Sequence, residues 1–347
     1  MFMIVLLHSL GHGGVLDALT TTGSVRYGAA WLLETAAYCA VDCYALISGF
    51  VGLRSRHKVS SLISLWLQVV FYHGGFTLLG AVWEQTPVTT DLMAKAFLPL
   101  SSNAYWYFTS YCAIFFFLPL VNAAIEHLEK RQLQVALSGI LVLLCVYPTV
   151  RGIDAFRLVS GYHGLWLLIL YALGAYLSKY PPLKHLSGRP WAFAYLGSVL
   201  LSWGVLLLNN HLKAIYPDAD LFLIDPIRYT SPTILLAAVS LLMLFSRLRV
   251  AAPFRRAVTA LSSLTFGVYL IHDSVFVREH LISGRLADLA GEPSFIMLPK
   301  VILFALGVYS VCSVIEFLRA LLFQGLRVRS LLGWLEAKCS LLRQSEK

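Results

Sequence analysis

Charge is what this chain has least of. Only 13% of its 347 residues are Asp, Glu, Lys or Arg, against 58% hydrophobic residues. A soluble domain is about one quarter charged, so there is too little polar surface here to cover a globule. Cysteine patterning is lacking as well. None of the six cysteines forms a Cys-x-x-Cys pair or a metal spacing. Cys39, Cys43, Cys112, Cys145 and Cys312 fall inside apolar segments and Cys339 in the tail, which fits small buried residues and no metal or redox centre. No G-x-S-x-G, Walker, Rossmann or zinc-helix pattern occurs. Internal repeats and low-complexity segments are absent, and the start has neither a basic n-region nor an A-x-A site, which excludes an ordinary signal peptide.

What is present is apolar length. Runs of roughly 17–25 apolar residues mark membrane-spanning helices, and ten segments are predicted: 1–10, 29–53, 60–83, 105–124, 133–150, 162–180, 191–208, 230–245, 258–276 and 295–322. The expected fold is an all-α integral membrane protein of about ten transmembrane helices. The first segment is too short to cross alone, so the first helix is expected to be truncated at its N-terminus. The net charge of +9 would suit nucleic acid, but its distribution gives it another meaning. With the N-terminus taken as cytoplasmic, 17 of the 27 Lys and Arg fall in inner segments and eleven of the 18 acids in outer ones. That is the positive-inside pattern, with both termini in the cytoplasm. No nucleic-acid partner is expected, only the lipid bilayer.

Two domains are read: a transmembrane domain over 1–324 and a cytoplasmic tail over 325–347. In the tail Val328, Leu331, Leu332, Leu335, Cys339 and Leu342 share one helical stripe with basic residues opposite, the pattern of an amphipathic helix on the inner leaflet. Small-residue faces on the spans permit a homodimer without requiring one.

Polar residues within apolar spans are costly, and so point to function. His8 and His12 are one helical turn apart and share a face if the helix continues. Glu34 and Asp42 lie on the second segment and suggest a wall of a polar cavity; interhelical hydrogen bonding is the alternative for Asp42. Ser48-Gly49 closes that segment just before Arg54, Arg56 and Lys58, a placement that suits either a polyanion at the cytoplasmic mouth or the positive-inside rule alone. His73, beside Gly74-Gly75, reads as a core histidine. Trp106 and Tyr107 open the fourth segment in an aromatic belt, His272-Asp273 ends the ninth, and Glu316 and Arg319 are spaced to pair. These features suit an enzyme or a transporter.

Several stretches together resemble the acyltransferase 3 family of membrane acyltransferases. They are Leu7-His8 leading into His12-Gly-Gly; Asp42-Cys-Tyr-Ala-Leu-Ile-Ser-Gly-Phe50; Tyr105-Trp-Tyr-Phe-Thr-Ser-Tyr111; Leu118-Pro-Leu-Val-Asn122; Gly161-Tyr-His-Gly-Leu-Trp166; Ser231-Pro232; and Leu264-Thr-Phe-Gly-Val-Tyr-Leu-Ile-His272. Each is weak alone; the ordered set is specific and spans nearly the whole chain. The branch it most resembles includes stand-alone O-acetyltransferases and the membrane domains of vancomycin-resistance serine racemases. The resemblance implies ten core helices in a multi-pass protein of the bacterial plasma membrane. The implied reaction is acetyl transfer from cytoplasmic acetyl-CoA, without a metal, to a hydroxyl of a cell-wall or surface glycan, or of another small acceptor, at the outer face.

The family's first-helix signature is an Arg, ten intervening residues, then a His taken to be catalytic. The His corresponds to His8; the Arg would precede Met1. Asp42 stands where Asn is common, and Leu118 where a Ser often precedes the Pro. On this resemblance His8 is the expected base, with His12, Asp42 or Glu34 supporting it. Ser48, Arg54, Arg56, Lys58, Arg255 and Arg256 are the expected acyl-CoA contacts, and Trp106, Tyr107 and His272 shape the acceptor site. A polytopic transporter of a small solute, such as an amino acid or lipid-linked sugar, is the alternative, although no inverted repeat supports it. A catalytically inactive scaffold is a third reading.

Overall fold

The computed structural model describes residues 1–55, 58–182, 187–218, 224–328, 330 and 333, and among these it is all helical, with no strand. The helices are α1 (Phe2–Leu10), α2 (Val15–Ala18), α3 (Val25–Tyr38), α4 (Ala40–Gly52), α5 (Val59–Trp83), α6 (Thr90–Phe97), α7 (Trp106–Phe115) and α8 (Leu118–His127). They continue with α9 (Lys130–Leu141), α10 (Tyr147–Arg151), α11 (Gly164–Lys179), α12 (Arg189–Ile215), α13 (Pro232–Phe245), α14 (Ala252–His272), α15 (Val275–Val277) and α16 (Ser294–Gly325).

Ten helical stretches among the described residues coincide with the segments read from the sequence, and they differ in length. Among the described residues five helices are long and apolar enough to cross a membrane: 25–52, 59–83, 130–151, 189–215 and 294–325. The number rises to seven if the bent pairs α7–α8 (58°) and α14 with the turns after it (66°) each count as one span. The stretches 2–18, 164–179 and 232–245 are shorter apolar helices. Large apolar side chains face outward, as on α16, where Leu303, Val311 and Leu318 are exposed. An apolar exterior of this extent belongs in lipid. Most of the proposed amphipathic tail, with Arg329 and Lys338, lies outside the described residues.

Helix ends follow local chemistry. Ser24 caps α3 by accepting from the Tyr27 amide at 3.2 Å, and Glu129 with Gln132 forms a capping box at α9. The Lys179 ammonium donates to the carbonyls of Ile125 and Glu126 at the end of α8, where a cation also complements the helix dipole. Helices α4 and α11 cross at backbone distance. A Cβ on Gly49 would strike the Tyr171 carbonyl, and one on Gly174 the Leu46 carbonyl. Small residues at a crossing permit such an approach in a membrane fold, so Gly49 serves packing.

A second junction is polar. The buried Glu316 carboxylate on α16 accepts from Gln68 Nε2 at 3.0 Å, Tyr72 Oη at 2.8 Å and Arg319 Nε at 3.0 Å. The expected pairing of Glu316 with Arg319 is therefore present, and it ties α16 to α5. His73 Nε2 lies 3.0 Å from the Lys95 carbonyl, and its ring packs on Tyr105.

Candidate active site

The site begins where α1 stops. Ser9 turns its hydroxyl onto the Val5 carbonyl, and the chain leaves the helix through Gly11–Gly14. A Cβ on Gly13 would collide with the Ser9 carbonyl, and Gly14 has φ +85°, a left-handed conformation that suits glycine. The turn is held from across the bundle: the Gly284 amide donates to the His12 carbonyl at 3.0 Å and the Leu286 amide to the Gly13 carbonyl at 2.9 Å. His8 and His12 thus share one side of the turn, with ring centroids 5.1 Å apart.

Helix α14 meets them with its last residue. The His272 ring lies 5.0 Å from that of His8 and is fully buried. Its Nδ1 is 2.6 Å from the Val268 carbonyl. A carbonyl can only accept, so Nδ1 carries a proton, while Nε2 is buried with no partner among the described residues. The bend after His272 brings Asp273 Oδ1 to 3.7 Å from His8 Nδ1 and 3.7 Å from Arg278 Nη1.

His8, His12 and Asp273 each offer a metal-ligand atom, all within 4.8 Å of one another. Zinc bonds of about 2.0–2.2 Å in a tetrahedron need ligand atoms closer together than that. These residues could hold a cation after closing inward, in competition with the Arg278 guanidinium.

The histidines open onto a cavity of about 720 Å³. Trp31, Glu34, Tyr38, Val41, Tyr44 and Ser48 supply one wall. Their spacings of three and four residues make a single helical face. It runs about 25 Å along α3 and α4 at 1.5 Å per residue, from the histidine end toward the end of α4. Trp106, Tyr107, Tyr162 and Tyr229 add an aromatic part of the lining.

Six residues singled out from the sequence therefore line one space: His8, His12, Glu34, Ser48, Trp106 and Tyr107. Others do not. Asp42 does not line the cavity, which corrects its proposed part beside His8. It is fully buried, and its Oδ1 accepts from Trp166 Nε1 at 3.1 Å, so it joins α4 to α11. His272 packs behind His8 and is not among the lining residues. Arg54, Lys58, Arg255 and Arg256 stand exposed at helix ends, away from the cavity wall. Arg54 lies six residues beyond Ser48; Arg56 is outside the described residues. The sequence reading missed Arg278, Tyr38, Tyr44 and Tyr229, and took Asp273 only as the neighbour of His272. Tyr38 and Tyr44 carried a signal, since they continue the Trp31–Glu34 face at helical spacing.

The family model described as an acyltransferase domain matches residues 1–316. The chain belongs to the acyltransferase 3 family. It is accordingly a membrane acyltransferase, and its matched region contains every lining residue of the cavity. Comparison of this acyltransferase with curated proteins and with solved structures gave no significant match.

Proposed function

We propose that the chain transfers an acetyl group from cytoplasmic acetyl-CoA to a hydroxyl of a cell-surface or cell-wall glycan, or another small acceptor, at the outer face of the plasma membrane. The observation that carries this reading is that His8 and His12 line the same cavity as the face of α3 and α4 from Trp31 to Ser48. In this scheme both termini are cytoplasmic, as the basic inner loops favour. Arg54, Arg56, Lys58, Arg255 and Arg256 attract the phosphates of the donor. Its pantetheine arm follows the α3–α4 wall past Ser48 and Tyr44.

His8 is the general base. A neutral imidazole takes the proton of the acceptor hydroxyl as that oxygen attacks the thioester carbonyl, and the sulfur of CoA leaves and receives the proton. An acyl-imidazole on His8 is the two-step variant. Asp273 stabilises the imidazolium and orients the ring, as the third member of a triad does. The 3.7 Å separation is of the kind that tightens once substrates bind. His12, Trp106 and Tyr107 border the acceptor.

The test uses the full chain purified in detergent. Acetyl-CoA is expected to bind in calorimetry and to be hydrolysed slowly without acceptor, with affinity reduced about tenfold in the Arg54→Ala/Arg56→Ala variant, equivalent to one lost charge-assisted contact. Absence of both binding and hydrolysis would overturn the reading in favour of solute transport.

A further inference from the structure

The proposed chemistry leaves Glu34 without a part. Its side chain is only 7% exposed, lies on the cavity wall, and has one carboxyl oxygen, Oε2, buried with no hydrogen-bond partner. One turn before it on the same face, the Nε1–H of Trp31 is likewise buried and unpartnered. One turn after it, Tyr38 stacks on Tyr229 with centroids 4.8 Å apart and planes at 28°. The aromatic row continues through Tyr162, 5.0 Å from Tyr229, to Trp106 at 4.8 Å. A buried acceptor without a partner is costly, and here the residues that carry the acceptor, the donor and the rings line one space. That is the construction of a ligand subsite.

The charge of the wall says which ligand. Asp17, Glu34 and Asp273 line the cavity, and among the described lining residues there is neither Lys nor Arg. Asp273 has Arg278 behind it; Glu34 has no cation in hydrogen-bond or ion-pair contact among the described residues. Aromatic faces attract both sugars and cations, but a carboxylate among them selects the cation. We propose that Glu34, with the rings of Trp31, Tyr38 and Tyr229, forms a subsite for a protonated amine, so that the acceptor is an amine-bearing hydroxyl compound such as an amino sugar. The word acceptor rests on the acyl-transfer reading; the subsite itself does not need the donor.

The experiment titrates the detergent-purified full chain with glucosamine, glucose and N-acetylglucosamine at neutral pH without acetyl-CoA, read by calorimetry. Glucosamine is expected to bind at least about tenfold more tightly than the two uncharged sugars, the worth of one hydrogen bond to a charged group. In Glu34→Gln, checked for unchanged helicity and melting temperature, that preference should fall to within about twofold. Should Glu34→Gln not fold, Tyr38→Leu is expected to weaken glucosamine several-fold by removing a ring. Equal binding of the three sugars, no binding of any, a preference that survives in Glu34→Gln, or unchanged glucosamine affinity in Tyr38→Leu would overturn the subsite. Acetyl-CoA binding and hydrolysis by the wild type, measured in parallel, separate the two readings. Acetyl-CoA binding or hydrolysis without amine preference removes only the subsite, whereas amine preference with neither removes only acyl transfer.

Discussion

Two clusters of buried polar groups sit in the same apolar bundle and are built in opposite ways. At the α5–α16 junction Glu316 receives hydrogen bonds from Gln68, Tyr72 and Arg319. At the α1–α14 junction His8 Nδ1 and His272 Nε2 are buried with no hydrogen-bond partner among the described residues, and Asp273 stands 3.7 Å from both His8 Nδ1 and the Arg278 guanidinium. The first cluster is closed and holds helices together. The second is loosely coupled, and two of its members, His8 and Asp273, line the cavity. Buried polarity inside a membrane protein therefore divides by satisfaction: paired groups fasten, unpaired groups beside a cavity bind or react.

The comparison can be broken most forcefully at His8. His8→Ala is expected to lower acetyl transfer about a thousandfold, within the range of general-base catalysis, with little change in thermal stability. Assay of transfer alongside a melting curve separates the two effects, and a variant that keeps full activity would remove His8 from the chemistry. Glu316→Gln should do the reverse. It leaves the Arg319 guanidinium, only 12% exposed, without its counter-charge, a loss of about 3 kcal/mol for a broken buried pair. Denaturation in detergent should detect that loss, while turnover per folded molecule stays within about twofold of wild type. The smallest effect is expected from Asp273→Asn, which keeps shape and removes charge: kcat should fall about tenfold with KM for acetyl-CoA unchanged, as for a group that supports the base and touches no donor. A change confined to KM would instead assign Asp273 to substrate binding.

The sequence made some of this architecture visible. Apolar run lengths located the helical stretches, because the period and extent of hydrophobicity survive without tertiary information. They could not show that α7–α8 and α14 bend or that 164–179 is short, since bends and tilt arise from packing. The pairing of His8 with His12 was readable as a single helical turn, as was the face carrying Trp31, Glu34, Tyr38 and Tyr44. Asp42 shows where such reading ends. Its place on a polar-bearing helix is evident, but which neighbour it faces depends on the rotation of α4 against α11, and there Trp166 claims it. Arg278 reaches Asp273 only because the chain turns after His272, and Tyr229 arrives from a loop whose course has no periodicity to follow.

The main-chain bonds that join His12 and Gly13 to Gly284 and Leu286 link the start of the chain to its last quarter. Contacts of such sequence separation form late, after their loop-closure cost is met. During synthesis α1 must wait beside the emerging helices until the segment around Gly284 has left the ribosome. The His8–Asp273 pair is thus absent from nascent chains that stop before this segment.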